Sequence, residues 1–149
     1  MRMTKSPQCE LFVDGASRGN PGPAGIGIFL RDPQSGKTRG WCQYLGETTN
    51  NVAEYTALLR ALEQARTHGC DSIIVRTDSQ LLARQISGQY RVRQPHLIPL
   101  HEQARSLMRL FFDCKVVHIP REQNKQADKL ANRGIDVRAE QLAEVLIEL

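Results

Sequence analysis

The chain has 149 residues, of which 40% are hydrophobic and 24% charged. That is the size of one domain with enough apolar material for a core, so a disordered tail is excluded and two domains are not expected. Lysine and arginine total 20 against 16 acids, a net charge of +4, which is compatible with a polyanionic partner and does not establish one.

In chain order, residues 1–8 read as a flexible lead-in. Cys9 to Val13 predicts a short strand ending at Asp14, followed by a Gly/Pro-rich turn, DGASRGNPGPAG, over residues 14–25. Ile26, Ile28 and Leu30 alternate with Gly27 and Phe29, a strand pattern. DPQSGK, residues 32–37, carries the Pro and Gly of a turn. Arg39 to Leu45 follows as a third strand, so short turns imply an antiparallel meander.

After residue 50 the period changes. Val52, Tyr55, Leu58, Leu59, Leu62 and Ala65 follow helical spacing, and Gly69 caps the end. Ser72 to Thr77 reads as a strand, Gln80 to Ile86 as a short helix, and Pro95 to Leu110 as a further helix with Pro99 near its start. Lys115 to Ile119 predicts a fifth strand and Glu122 to Asn132 a helix. Strand–helix–strand order places these strands parallel to the sheet. The fold class is α/β, a meander extended by two parallel strands. Leu142, Val145, Leu146 and Leu149 form one helical stripe, so the tail, residues 136–149, is expected as a helix packed on the domain.

Cys9, Cys42, Cys70 and Cys114 show neither metal-ligand spacing nor a dense secreted framework. They predict reduced thiols in a cytoplasmic protein, with Cys9, Cys70 and Cys114 buried. No run approaches the ~18 apolar residues of a membrane span, and MRMTKSPQCE lacks a secretion signal's apolar segment.

Four acids fall at the ends of elements. Asp14 closes the first strand and Asp78 the fourth, while Glu54 and Asp128 lie early in helices. Ligands of open α/β sheets gather at such places. Clustered carboxylates suit hard divalent cations, and two ions ~3.5–4 Å apart can activate water and steady a leaving oxygen in phosphodiester cleavage. Each acid also has a plainer reading. Asn51 and Glu54 fit a variant capping box, Asp78 a helix cap, Asp128 an ion pair with a nearby Lys, and Asp14 a turn. Spacing alone does not show that they meet.

The strings around these acids are more specific. DGASRGNPGPAG with Asp14, TTNNVAEY with Glu54, TDSQ with Asp78 and HIPREQNKQAD with Asp128, in this order, resemble type 1 ribonuclease H, the ribonuclease HI family. The likeness runs from about Glu10 to Ile135, so residues 9–135 are expected to be the catalytic domain. The resemblance implies a five-stranded mixed sheet with flanking helices. It implies sequence-independent endonucleolytic hydrolysis of the RNA strand of RNA–DNA hybrids. It also implies two Mg²⁺ ions, or Mn²⁺, held by Asp14, Glu54, Asp78 and Asp128; a monomer is expected, though the sequence leaves the oligomeric state open.

Further roles are implied residue by residue. Asn20, Asn51 and Gln80 match positions that grip the hybrid's minor groove, with Asn50 and Ser79 beside them and backbone amides of Gly15–Gly19 contributing. Such groups can bond to 2′-hydroxyls without reading sequence. Thr49 matches a contact to a DNA-strand phosphate, and Asn124 a residue that positions substrate or water. Their plainer reading is turn chemistry.

The chain departs from the family pattern twice. Many members carry a catalytic His before the last acid. His118 has the matching count, but HIPREQN lacks the Gly-rich loop wording and looks closer to members in which an Arg takes the role, here Arg121. Residues 89–99, QYRVRQPHLIP, are also shorter than the basic protrusion of some members, so weaker and more salt-sensitive hybrid binding is expected. Two competing classes remain open: a nucleic-acid-binding module without turnover, and another nuclease of the wider fold group acting on DNA junctions.

Overall fold

The structure is a computed structural model that describes residues 8–147. The rest of the expected lead-in and Leu149 lie outside the described residues. Three long antiparallel strands form the meander: β1 (Gln8–Ser17), β2 (Gly22–Arg31) and β3 (Thr38–Thr48). Helix α1 (Asn50–Thr67) follows, capped by Thr49, whose hydroxyl accepts from the Val52 N–H at 3.3 Å. Beyond it, Gly69 takes the left-handed conformation at φ +75° that suits a glycine past a helix end. Next come β4 (Ser72–Thr77), α2 (Gln80–Ile86), α3 (Ile98–Met108), β5 (Asp113–His118), α4 (Lys125–Val137) and β6 (Ala143–Val145).

The sheet order is β5-β4-β1-β2-β3-β6, with β4 and β5 parallel to β1 and the other pairings antiparallel. The expected α/β architecture is present with six strands in place of five. Alternation on β2 shows how the layers are built. Ala24, Ile26, Ile28 and Leu30 enter the main core with Leu58 and Leu62 of α1. Gly25 and Gly27 face α4 instead. A Cβ on Gly27 would collide with the Ala127 carbonyl, and one on Gly25 with the Ala131 carbonyl. Helix α4 thus lies directly against the β2 backbone, while Leu130 packs with Phe29 and Cys42 in a second, smaller cluster.

This packing corrects the expected turn over residues 14–25. Strand β1 continues through Asp14 to Ser17, and only residues 18–21 remain between it and β2. Two of the glycines that suggested a long turn, Gly15 and Gly25, serve close helix–strand approach, whereas Gly19 does sit in the turn at φ +102°. Helix α4 also starts later than expected, at Lys125, after a single 3-10 turn over Arg121–Gln123. Asn124 separates the two because its side chain turns inward, donating to the Val13 carbonyl at 2.9 Å.

Among the described residues, the expected tail helix is not formed. Arg138 ends α4 in the left-handed conformation, and the tail then adds β6 to the edge of β3, pairing Val145 with Gly40 and Ala143 with Cys42. Free amides and carbonyls along a sheet edge offer the tail a ladder, which here overrides its helical stripe. Leu142 and Val145 still pack on the domain, whereas Leu146 is 90% exposed. The expectation of four reduced thiols is also corrected. Cys9 and Cys70 form a disulfide with Cα atoms 6.1 Å apart, leaving Cys42 and Cys114 free. That bond removes the thiol argument for a cytoplasmic chain. Among the described residues, no helix is long and apolar enough to cross a membrane.

Candidate active site

Strand register brings the first two acids together. β1 and β4 run parallel with Val13 opposite Thr77. The next residue of each chain is an acid, so Asp14 and Asp78 emerge side by side. Asp78 is not the cap of α2, because Ser79 takes that place and its hydroxyl accepts from the Leu82 N–H.

Glu54 arrives from the other layer. A Cβ on Gly15 would collide with the backbone of Ala53 and Glu54, so its absence lets the first turns of α1 rest on β1. The Gly15 N–H donates to Glu54 Oε1. Glu54 therefore serves the site and not a capping box, since Thr49 caps α1. Asp128 follows from the third contact. Gly27 lies opposite Asp14 in the β1–β2 ladder and beneath Ala127 of α4, which delivers Asp128 to the same end of the sheet.

Asp14, Glu54 and Asp78 each offer a carboxylate oxygen, and these oxygens lie within 4.8 Å of one another. They line a cleft of about 370 Å³ with Gly15, Ala16, Ser17, Asn50, Asn51, Ser79, Arg121 and Asp128. Asp14 and Glu54 are each only 7% exposed. Burial, then the charges of Glu54 and Asp78, push the Asp14 carboxyl far above the usual carboxylate range. Burial also raises Glu54, against the opposing bond from the Gly15 N–H. Without a cation, burial and the neighbouring charges thus disfavour full ionisation of these two acids.

The other expected residues divide. Gly15, Asn50, Asn51, Ser79 and Arg121 line the cleft. Asn124 lies beneath it at 1% exposure, donating to Asp78 Oδ2 at 3.3 Å as well as to Val13. Asn20 stands just outside, where its Oδ1 accepts from the Asn50 N–H at 3.0 Å. Thr49 and Gln80, at the starts of α1 and α2, do not line the cleft, and neither does His118. His118 is exposed at the end of β5, paired with Thr77. Asp128 makes the Asn132 contact in place of the suggested Lys pair.

Ala16 and Ser17, expected only as backbone of the Gly15–Gly19 segment, both line the cleft, and the sequence reading missed the structural part of the Ser17 side chain. The Ser17 hydroxyl donates to the Thr48 carbonyl at 3.0 Å and to the Gly19 carbonyl. Extending the β1 alternation past Asp14 would have placed Ser17 on the same face as Gly15.

Comparison with known proteins shows the family. Residues 12–134 match the family described as Reverse transcriptase-like. Ribonuclease HI of Halobacterium salinarum is 43% identical over 84% of this chain, which spans 63% of that protein's length. Ribonuclease H of Methylococcus capsulatus is 36% identical, with 87% of this chain and 90% of that protein covered. A crystal structure of LC11-RNase H1 in complex with an RNA/DNA hybrid superposes with a TM-score of 0.80 at 43% identity, covering 87% of this chain and 97% of that one. With the acids brought together by the register and contacts above, a family model matching residues 12–134 and a ribonuclease H relative covered over 90% of its length, the chain belongs to the ribonuclease H family.

Proposed function

We propose that this chain is an endonuclease that hydrolyses the RNA strand of RNA–DNA hybrids, without sequence preference, by two-metal-ion chemistry. The observation that carries the reading is the convergence of Asp14, Glu54 and Asp78 in a cleft shared with Asp128, Asn50, Asn51 and Arg121. The hybrid bound by LC11-RNase H1 supports the substrate class.

The donor set fits hard divalent cations. It offers oxygens alone, and two of its carboxyls are held away from ordinary ionisation by burial and mutual repulsion, a cost that a bound cation would relieve. Asp14, Glu54, Asp78 and Asp128 would hold magnesium or manganese, which when bound would activate the attacking water and neutralise charge at the leaving oxygen. The chain supplies the positions. Gly15 fixes Glu54 through its N–H, and Asn124 fixes Asp78 from below. Asn50 and Asn51 project at the start of α1 beside the acids, where their amides can bond 2′-hydroxyls and so select RNA. Arg121 presents a permanently charged fork to a phosphate.

The direct test is incubation with a labelled RNA–DNA hybrid, duplex RNA and duplex DNA in Mg²⁺ or Mn²⁺. Cleavage confined to the hybrid's RNA strand is expected. Equal cutting of all three, or none by folded protein, would remove the proposal. Hybrid binding without cleavage in every metal would favour a binding module, and cutting of four-way DNA junctions a different nuclease.

Arg121 lines the cleft and His118 does not, so their alanine variants should separate. Arg121→Ala is expected to slow turnover by roughly 10–100-fold, the worth of one charge-assisted phosphate contact, with a smaller loss of hybrid affinity. His118→Ala should leave turnover near the parent value. Single-turnover rates and hybrid titrations check both, and an unchanged rate for Arg121→Ala ends that assignment.

A further inference from the structure

The fourth acid differs from the other three in how it is held. Asp14 and Glu54 are buried and Asp78 is tied down by Asn124, whereas Asp128 is exposed on the first turn of α4 and lies outside the converging trio. An exposed carboxylate samples several rotamers unless a neighbour restrains it, and metal ligands depend on such outer partners.

The geometry points to Asn132 as the positioning residue for Asp128, with Arg18 setting the direction of the Asn132 amide; this rests on the metal-dependent nuclease reading of the cleft. One helical turn beyond Asp128, Asn132 Nδ2 donates to Asp128 Oδ1 at 3.4 Å and to the Asp128 carbonyl at 3.0 Å. A side-chain amide can present either its oxygen or its nitrogen, and only the nitrogen can donate to a carboxylate. Arg18 decides between them. Its guanidinium has donors alone, and Nη2 lies 3.2 Å from Asn132 Oδ1 and 3.5 Å from the Asn132 carbonyl. The amide oxygen therefore faces Arg18, which leaves the amide nitrogen for Asp128.

Arg18 is itself held in place. It pairs with Asp136 at 2.8 Å, and its backbone N–H donates to the Pro23 carbonyl at 2.8 Å. The short turn that carries it also carries Asn20, bonded to the start of α1. One turn thus ties the asparagine side of the cleft to the helix that bears the fourth acid. Asn132 does not line the cleft and acts through Asp128.

The test uses the full chain and three variants, Asn132→Ala, Arg18→Ala and the double. NMR couplings report the χ1 averaging of the Asp128 side chain without substrate, the Mg²⁺ concentration for half-maximal hybrid cleavage is measured in parallel, and thermal melting controls for folding. Asn132→Ala should average the Asp128 rotamers and raise the Mg²⁺ requirement by roughly 10-fold, with an unchanged melting temperature. Arg18→Ala should shift both readouts in the same direction, and the double variant should be no worse than Asn132→Ala, because one acts through the other. An unchanged Asp128 rotamer and Mg²⁺ requirement in Asn132→Ala would overturn the inference, as would additive effects of the two changes. Asp128→Asn separates the two levels. If it raises the Mg²⁺ requirement while Asn132→Ala does not, this inference alone falls; if it leaves cleavage unaltered, the reading of the cleft falls with it.

Discussion

Asp14→Asn is expected to abolish hybrid cleavage and to leave the metal-free protein at least as stable as its parent. Asp14 stands where β1, β4 and α1 meet, within reach of both Glu54 and Asp78. A metal ligand at the reacting centre is worth several kcal/mol of transition-state stabilisation. Losing ~4 kcal/mol would slow the reaction by about 10³-fold. Stability moves the other way. Burial, with the charges of Glu54 and Asp78, raises the Asp14 carboxyl in the folded chain, so between the unfolded and folded pKa the folded state binds more protons. The parent's metal-free stability should therefore fall as pH rises above the ordinary carboxylate range toward and past neutrality. The Asn variant lacks this titration, so its advantage should be larger at pH ~8 than at pH ~5. Melting in EDTA at both values, with cleavage assays in Mg²⁺, checks the pair of effects. A large fall in melting temperature would make Asp14 a structural residue instead.

Reduction of the Cys9–Cys70 disulfide should produce the largest change in stability without touching the cleft. The bond closes a separation of 61 residues that spans the meander and α1. A crosslink over a loop of that length restricts the unfolded chain by about 4 kcal/mol in the chain-entropy account. For a chain of this size that corresponds to a melting shift on the order of 10 °C. Cys9→Ser with Cys70→Ser should melt lower by that amount and keep its cleavage rate, because both cysteines join the start of β1 to the segment before β4, away from Asp14 and Asp78. Thiol titration of denatured, unreduced protein should find the two thiols of Cys42 and Cys114; four thiols would show that the bond does not form.

The elements that were legible are those whose signals are local. Val52, Tyr55, Leu58 and Leu62 place α1 by their spacing, and Gly69 marks its end, because helix periodicity and capping need only near neighbours. Gly15 and Gly25 misled because a glycine that admits a helix backbone reads the same as one that makes a turn. The tail misled because edge pairing with β3 is a long-range event, and the disulfide did so for the same reason. The four acids were legible as strings of the ribonuclease H kind. Their meeting was not, since it depends on Val13 lying opposite Thr77 and on Ala127 crossing Gly27. The inward turn of Asn124 likewise depends on where the Val13 carbonyl stands.

The most direct measurement is an anomalous difference map from a crystal soaked in Mn²⁺, with the RNA–DNA hybrid bound. Peaks are expected in the cleft, at the carboxylates of Asp14, Glu54, Asp78 and Asp128. A map with full protein density and no peak at these side chains, under conditions where the same crystals cleave the hybrid, would contradict the account.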